Sequence, residues 1–133
     1  MMRALAAQEP AIAFDEDELR PVLSLFFSHP EWGRIWILDH AGRAVGYIIL
    51  TLGFSFEYRG RDAFIDELYI APEYRGRGFG RAGMQLAEDC ARQFGVNALH
   101  LEVDHANHSA LEFYRRLRYQ DHKRHLLTKW LRQ

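Results

Sequence analysis

The stretch "AFIDELYIAPEYRGRGFGRAGM", residues 63–84, joins an apolar, β-prone run to a loop rich in glycine and arginine, and then to a helical pattern. Three glycines separated by single residues give this loop backbone conformations that other residues avoid, and they let another molecule come close to the main chain. Pro72 cannot donate to a β-ladder and therefore ends the strand. We predict a strand over 62–70, then the loop, then a helix over roughly 80–94.

Hydrophobic periodicity and turn residues predict the remaining elements. They are a helix over 15–27, a hairpin over 34–58 that turns at 39–42, a strand over 98–103, a helix that opens around 107–109, and one or two strands over 119–131. This order predicts a single α/β (α+β) domain over 1–133 with a mixed, mostly antiparallel, twisted sheet. Gly95 suits the position just after the second helix, and Ser109 with Glu112 fits a capping box at the start of the third.

The composition excludes several classes of protein. The chain has 133 residues, of which 48% are apolar and 26% charged, as in an ordinary globular domain. A net charge of −1 gives no overall attraction to nucleic acid or to anionic membranes, and no apolar run approaches the roughly 20 residues of a membrane helix. Without a signal-peptide pattern, and with Cys90 as its one cysteine, the chain is expected in the cytoplasm.

The histidines and the tryptophans are two further groups of residues that could have a functional role. The seven histidines match no zinc-ligand spacing, so we expect no metal. Exposed tryptophans at 32, 36 or 130 would mark a homodimer surface, although core packing is their default role.

The order strand, glycine loop, helix is typical of an anion-binding site. The first amides of a helix have no intrahelical partner, and the helix dipole makes that end partly positive. Arg75, Arg77 and Arg81 add charged donors. A tight turn with solvated arginines is the alternative. A Walker loop is excluded because no Gly-Lys-Ser/Thr is present, and the dinucleotide register that begins at Gly78 lacks a surrounding βαβ unit.

The motif "RGRGFG" resembles the Arg/Gln-x-x-Gly-x-Gly/Ala signature of the GNAT superfamily of N-acetyltransferases, with Arg75, Gly78 and Gly80 at the defining positions. The segment "IDELYIAPEYRGRGFGRAGM" is similar to the strand, loop and helix of that superfamily. The pattern N-x-x-A-x-x-F-Y-x-x-L over 107–117 is similar to its later helix. The resemblance covers about residues 35–131.

This resemblance implies a GNAT-like sheet with splayed central strands and helices on both faces. The first family strand is short or missing, because "ALAAQEPAIAF" is a poor candidate. The family often has glycine where this chain has Arg118, so we expect the helix end there to differ slightly, since a left-handed residue would be costly without glycine.

The resemblance also implies acetyl-CoA as co-substrate. The loop would hold the pyrophosphate of the coenzyme through Arg75, Gly76, Arg77, Gly78, Phe79, Gly80 and Arg81. The preceding strand would carry a bulge within Leu68, Tyr69 and Ile70, whose free backbone groups pair with the pantetheine arm, and Asn107 would contact that arm.

For catalysis, the resemblance makes Tyr114 the candidate general acid; a packed core aromatic is its alternative role. Asp66 and Glu67 are candidate acids for binding the acceptor and accepting its proton, similar to the acidic pair of the diamine (polyamine) acetyltransferase branch. Because neighbours in a strand alternate faces, we expect only one of the two to face the cleft. Glu57 would add acceptor-site charge, unless it is simply a solvated carboxylate.

The predicted function is therefore acetyl-CoA-dependent transfer of an acetyl group to a primary amine of a small, cationic acceptor, by direct attack in a ternary complex. Three alternatives stay open: a protein or peptide N-acetyltransferase, a coenzyme A-binding regulatory module with little catalysis, and a nucleotide-phosphate-binding protein.

Overall fold

The computed structural model describes residues 16–132. Within them lie three α-helices and four strands: α1 (Glu16–Phe27), β1 (Gly33–His40), β2 (Arg43–Ser55), β3 (Gly60–Ile70), α2 (Phe79–Gln93), β4 (Ala98–His100) and α3 (His108–Arg116), with 3-10 turns at Pro30–Trp32 and Pro72–Tyr74. The chain divides into two compact units, the first ending at Glu102 and the second beginning at Val103. A first family strand over 4–14 would lie outside the described residues.

The four strands form one sheet in the order β1-β2-β3-β4. The β1–β2 and β2–β3 pairs are antiparallel, whereas β3 and β4 run parallel. The predicted mixed, mostly antiparallel sheet is therefore confirmed. The ladder between β3 and β4 ends at Phe64 and His100, although β3 continues to Ile70. This divergence is the one expected of splayed strands.

The predicted first hairpin is confirmed, and its turn chemistry explains it. His40 pairs with Arg43, which leaves a two-residue turn at Ala41 and Gly42 with φ of 51° and 78°. Positive φ at both central residues matches the twist of a two-residue hairpin. The amide of Gly42 also donates to the Asp39 carboxylate at 3.3 Å.

One part of the core lies between the sheet and α2. Ile48 and Leu50 of β2 and Met84 of α2 are each 0% exposed. Gly83 lets α2 approach the sheet closely, since a Cβ there would lie 3.0 Å from Cδ1 of Leu38. A side chain at this position would require the end of the Leu38 side chain to shift.

Three predictions about element ends and strands were wrong. β4 ends at His100 rather than Val103, and residues 119–132 contain no strand. The third helix is capped by Asn107 instead of Ser109: its side chain accepts the amide of Ala110 at 3.1 Å. Asn107 is the better cap here because it lies one residue ahead of the first helical residue, where its oxygen reaches the third amide.

Two surveys cover only the part of the chain that the structure describes. No helix within it is both long and apolar enough to cross a membrane. Over the same 117 positions from 16 to 132, no group of three or more His, Cys, Asp or Glu side chains is placed to hold a metal ion.

Candidate active site

The glycine loop leaves β3 through the 3-10 turn and reaches α2 with two residues in left-handed conformations. Gly76 has φ of 73° and Gly78 has φ of 90°. No atom lies within 4 Å of the place that a Cβ would occupy at either residue. The backbone conformation, rather than crowding, therefore requires glycine at both positions. The space above the loop is open to another molecule.

The N-terminal end of α2 presents unpaired amides to this open space. Gly78 is the N-cap. The first intrahelical hydrogen bond runs from the amide of Ala82 to the carbonyl oxygen of Gly78 at 3.0 Å. The amides of residues 79–81 come before that bond and have no intrahelical acceptor. Within the described chain no side chain caps this end, and its first turn holds no acidic residue. Donors and helix dipole together favour an anion here.

Arg75 has a structural partner that the sequence did not reveal. Its Nε donates to the carbonyl of Ile70 at 2.8 Å, and its guanidinium carbon lies 5.8 Å from the centre of the Tyr69 ring. Arg75 thus fastens the end of β3 to the start of the loop. Its predicted contact with phosphate stays a prediction.

The other two loop arginines are less constrained. The guanidinium carbon of Arg77 lies 5.4 Å from the Tyr74 ring centre and 5.6 Å from that of Phe79. Phe79 in turn meets His40 edge-on at 5.1 Å, which anchors the first residue of α2 to the end of β1. Arg81 is exposed. Arg77 and Arg81 lie next to the free amides in sequence and carry charge to that end of the helix.

A β-bulge lies in β3, but two residues earlier than predicted. Glu67 pairs with Ile49 and Ile65 with Leu50, so Asp66 is the extra residue. Leu68, Tyr69 and Ile70 keep regular register with β2 as far as Gly46. Glycine at 46 permits this regular pairing, because a Cβ there would lie 2.2 Å from the Tyr69 carbonyl oxygen. The bulge was therefore misplaced, while the contact of 68–70 with the coenzyme stays a prediction.

The bulge bears on which way the two acids point. Ile49 and Leu50 are consecutive in β2 and face opposite sides of the sheet, so their partners Glu67 and Ile65 do too. Asp66 itself has no partner in β2 and is exposed. The register places Glu67 on the face that carries Ile49. Asp66 is the unpaired residue of the bulge, so the alternation assumed for an unbroken strand does not fix its side, and which of the two acids faces the cleft stays a prediction.

Tyr47 is a site residue that sequence reasoning missed. It is 1% exposed, and its hydroxyl donates to Oε2 of Glu67 at 3.0 Å. Its ring packs 5.7 Å from that of Tyr69, with Ile49 in the same buried cluster. A tyrosine within the apolar run "VGYIIL" was the available signal, because a buried phenol needs a hydrogen-bond partner. The bond fixes the Glu67 carboxylate on this face.

Glu57 lies away from these acids. It occupies the turn between β2 and β3, beyond the last pair of the ladder, Ser55 with Gly60. Asp66 lies six residues beyond Gly60 along β3, which corresponds to about 20 Å of strand. The register therefore does not bring Glu57 to the acid pair.

The second unit carries the two remaining candidates, Tyr114 and Asn107. Burial raises the pKa of Tyr114 to about 12, so its hydroxyl holds its proton throughout the physiological range. Its ring meets those of Phe113 at 5.0 Å and Tyr119 at 5.9 Å. Asn107 uses its side-chain oxygen as the α3 cap. Their roles toward a coenzyme stay predictions.

Comparison with known proteins identifies the family. The model of the acetyltransferase (GNAT) family matches residues 1–119. The chain therefore belongs to the GNAT acetyltransferase family, and the resemblance read from the loop motif is confirmed.

Individual relatives agree with this assignment. The chain is 32% identical over 98 residues to an uncharacterised N-acetyltransferase of Methanocaldococcus jannaschii, a match covering 73% of this chain and 42% of the relative. It is 32% identical over 77 residues to thialysine N-epsilon-acetyltransferase of Bos taurus, covering 58% and 45%. The chain thus spans less than half the length of these curated relatives.

A solved structure supports the fold. An integron cassette protein from the mobile metagenome of Cole Harbour salt marsh is 33% identical, with a TM-score of 0.82 over 95% of this chain and 78% of that one.

Proposed function

We propose that this protein transfers the acetyl group of acetyl-CoA to a primary amine of a small, cationic acceptor, by direct attack in a ternary complex. Family membership supports acetyl transfer. The observation that carries the proposal is the open loop with left-handed Gly76 and Gly78 beside the unpaired amides of 79–81. These residues fit a coenzyme diphosphate, because they offer main-chain donors, positive charge and room.

The remaining residues have the chemistry that such a transfer needs. Acetyl-CoA supplies a thioester carbonyl. The main chain of Leu68, Tyr69 and Ile70 borders the side of β3 that β4 leaves unpaired, where it would bind the pantetheine arm, and Asn107 would contact the same arm. The acceptor nitrogen forms a bond to the carbonyl carbon as the carbon–sulfur bond breaks. The Tyr114 phenol carries its proton before the reaction, because burial raises its pKa, and it donates that proton to the departing thiolate.

Asp66 and Glu67 support a cationic acceptor. They are neighbours at the bulge of β3, and a carboxylate pair attracts an ammonium group and can accept its proton. The name of the Bos taurus relative specifies the ε-nitrogen of thialysine. Glu57, which lies in the turn beyond the far end of β3, is retained only as a weaker contributor of acceptor-site charge. The net charge of −1 supports a small molecule rather than nucleic acid or a membrane as partner.

The proposal extends to the state of the protein. We propose that the chain forms a single domain, that it assembles as a homodimer and that it works in the cytoplasm. Its cysteine, Cys90, is a free thiol, which suits a reducing compartment.

Coenzyme binding is tested with a matched pair of variants, Gly78→Asp and Gly95→Asp. Both glycines are left-handed with open space at Cβ, so the two changes carry a similar backbone cost. Only Gly78 lies at the N-terminal end of α2. By calorimetric titration, Gly78→Asp should weaken coenzyme A binding by about 100-fold or more, which corresponds to losing one or two charge-assisted hydrogen bonds. Gly95→Asp should bind as the wild type does. A folded Gly78→Asp variant with unchanged affinity rejects the loop as the diphosphate site.

Acetyl transfer is tested by thiol release over polyamines, aminoglycosides, amino acids and peptides. The protein's own thiol is a weak background, because burial raises the pKa of Cys90 against the opposing charge of Arg34, and Cys90→Ser removes it. Turnover of small amines supports the proposal. Turnover of peptides alone supports a protein N-acetyltransferase, and coenzyme binding without turnover supports a regulatory module.

A further inference from the structure

His100 and Asp62 form a partly buried pair close to where the ladder between β3 and β4 ends. Nε2 of His100 lies 3.3 Å from Oδ2 of Asp62, and the two side chains are 18% and 14% exposed. Asp62 pairs with Gly53 of β2, where a Cβ would lie 2.8 Å from Oδ1 of Asp62. Glycine at 53 therefore leaves room for the carboxylate beside the imidazole.

The imidazole of His100 has one nitrogen occupied and one open. The carboxylate beside Nε2 favours the form of the ring in which this nitrogen carries the proton, so Nδ1 holds the free electron pair. Within residues 16–132, nothing forms a hydrogen bond with Nδ1, and no side-chain nitrogen without a partner is fully buried there. Nδ1 is therefore accessible to a ligand and able to accept a proton.

Two aromatic rings hold the imidazole in place. The ring centre of His100 lies 4.7 Å from that of Tyr58 and 5.0 Å from that of Phe64. Among the described residues, Asp62 and Tyr58 are the titratable groups that pair or stack with His100. Phe64 is 39% exposed and offers apolar surface beside the imidazole. The cluster thus combines a proton acceptor with a surface for an alkyl chain.

The strand register places His100 near Glu67 on one face of the sheet. Phe64 pairs with Thr51 of β2 and Glu67 pairs with Ile49, so Phe64 and Glu67 share a face. His100 is the partner of Phe64 in β4 and lies on that face too. The backbone of His100 is therefore about 7 Å along the sheet and one strand spacing, about 5 Å, away from that of Glu67.

We propose that Nδ1 of His100 accepts the proton of the acceptor ammonium, with Asp62 as a positioning residue. This inference rests on the proposed function and deepens it. An N–H bond of the ammonium breaks, its electron pair stays on the amine nitrogen, and the Asp62 carboxylate stabilises the imidazolium that forms. The neutral amine attacks the thioester carbonyl carbon, and the imidazolium returns its proton to solvent. The second proton that the nitrogen loses equals the one that the departing thiolate takes up.

Chemistry divides the work between the histidine and the acid. Imidazole is the side chain that ordinarily changes charge near neutral pH, which makes it an effective general base there. The Tyr47 hydroxyl donates to Oε2 of Glu67 at 3.0 Å, and such a bond favours the charged carboxylate over the protonated one. Glu67 is thus suited to holding the cation, whereas His100 is suited to taking its proton.

The test compares His100→Gln with the control His125→Gln, which changes an exposed histidine away from the pair. The substrate is the amine that the wild type acetylates fastest. At about pH 7, His100→Gln should lower kcat/KM about 100-fold or more, as the loss of a general base does, and leave coenzyme A affinity within about twofold. Asp62→Asn should give a smaller loss, and His125→Gln should match the wild type.

The pH dependence separates proton transfer from packing. As pH rises toward about 10, the ordinary pKa of an alkylamine, solvent supplies the neutral amine without a base. The losses in His100→Gln and Asp62→Asn should then shrink to a few-fold. Added imidazole should also restore activity to His100→Ala at about pH 7. Equal losses at every pH, with no rescue by imidazole, would make His100 a packing residue and overturn this inference alone.

NMR of the ring nitrogens in the wild type keeps the inference testable even if the variants fail to fold. The Nδ1 signal of His100 should shift when the same amine is added to the complex with coenzyme A. An unchanged signal at saturating amine overturns the inference, while acetyl transfer by the wild type stands. Failure of the wild type to acetylate any amine overturns the proposed function, and this inference with it.

Discussion

At the scale of single residues, the hydrogen bond between Tyr47 and Glu67 is a half-buried contact whose loss should be measurable. Tyr47→Phe removes the donor to Glu67 while keeping the ring in its packed position. We expect a loss of about 1.5–3 kcal/mol in the free energy of unfolding in urea, the range for hydrogen bonds to a charged partner. We also expect a higher KM for cationic amines, because Glu67 loses the group that fixes its carboxylate.

Tyr69→Phe is the matched control, since Tyr69 is 4% exposed in the same cluster and is not the donor to Glu67. Tyr69→Phe should lower the free energy of unfolding clearly less than Tyr47→Phe does. Equal losses for the two variants would show that the hydrogen bond to Glu67 adds no more to stability than the hydroxyl of Tyr69 does.

Tyr114 should make stability depend on pH at the alkaline end. Burial raises the pKa of Tyr114 to about 12 in the folded chain from the ordinary tyrosine value of 10.0, so the unfolded chain gives up this proton first. Stability from Tyr114 is thus fully present below about pH 10 and falls as pH rises through 12, by at most about 2.7 kcal/mol. Urea unfolding from pH 8 to 12 should show the wild type losing this amount relative to Tyr114→Phe. Parallel curves would mean that the phenol is solvated.

The same variant separates packing from catalysis. Tyr114→Phe should lower kcat by 10-fold or more, while coenzyme A affinity stays within about twofold, because a general acid acts only as the bond breaks. An unchanged kcat would make Tyr114 a packing residue.

At the scale of elements, helices α2 and α3 end in the same motif, with different residues at its left-handed position. After α2, Gly95 has φ of 73°, and the amides of Gly95 and Val96 reach the carbonyls of Arg92 and Ala91. After α3, Arg118 has φ of 71°, with its amide and that of Tyr119 bonded to Arg115 and Tyr114. The helix end was expected to differ for want of glycine. The end of α3 instead keeps the motif, and Arg118 takes the strained left-handed conformation.

Arg118→Gly should therefore stabilise the protein. Relief of left-handed strain, less the extra freedom of glycine in the unfolded chain, leaves a gain of about 0.5–1 kcal/mol. The midpoint of urea unfolding measures it. Gly95→Ala is the converse change and should destabilise by a comparable amount. A loss of stability in Arg118→Gly would mean that the arginine side chain makes contacts worth more than the strain.

Elements with a local cause could be predicted from the sequence, whereas those that depend on distant partners could not. The turn at Ala41 and Gly42 and the end of α2 at Gly95 follow from a few adjacent residues. The bulge at Asp66 depends on pairing with β2, some 17 residues away along the chain. The strands expected over 119–131 and 101–103 have the right composition, but the described residues there are not in a strand, because composition alone does not supply a pairing register. The candidate site divides in the same way: the loop motif is local, but the Tyr47–Glu67 bond is not.

At the scale of the whole molecule, ligand binding should appear as stability of the folded chain. A ligand that binds only the folded state at 100 times its Kd adds about 2.7 kcal/mol, or roughly 10 °C in Tm for a chain of this length. Coenzyme A should give a shift of this size in a thermal melt. ATP and NAD, which share the diphosphate but not the pantetheine arm, should give much less at equal concentration. Gly78→Asp should remove the Tm shift that coenzyme A causes. Gly95→Asp should lower the Tm of the ligand-free protein but keep the coenzyme A shift. A larger shift with ATP or NAD than with coenzyme A would reassign the loop to a nucleotide and withdraw the proposed acetyl transfer.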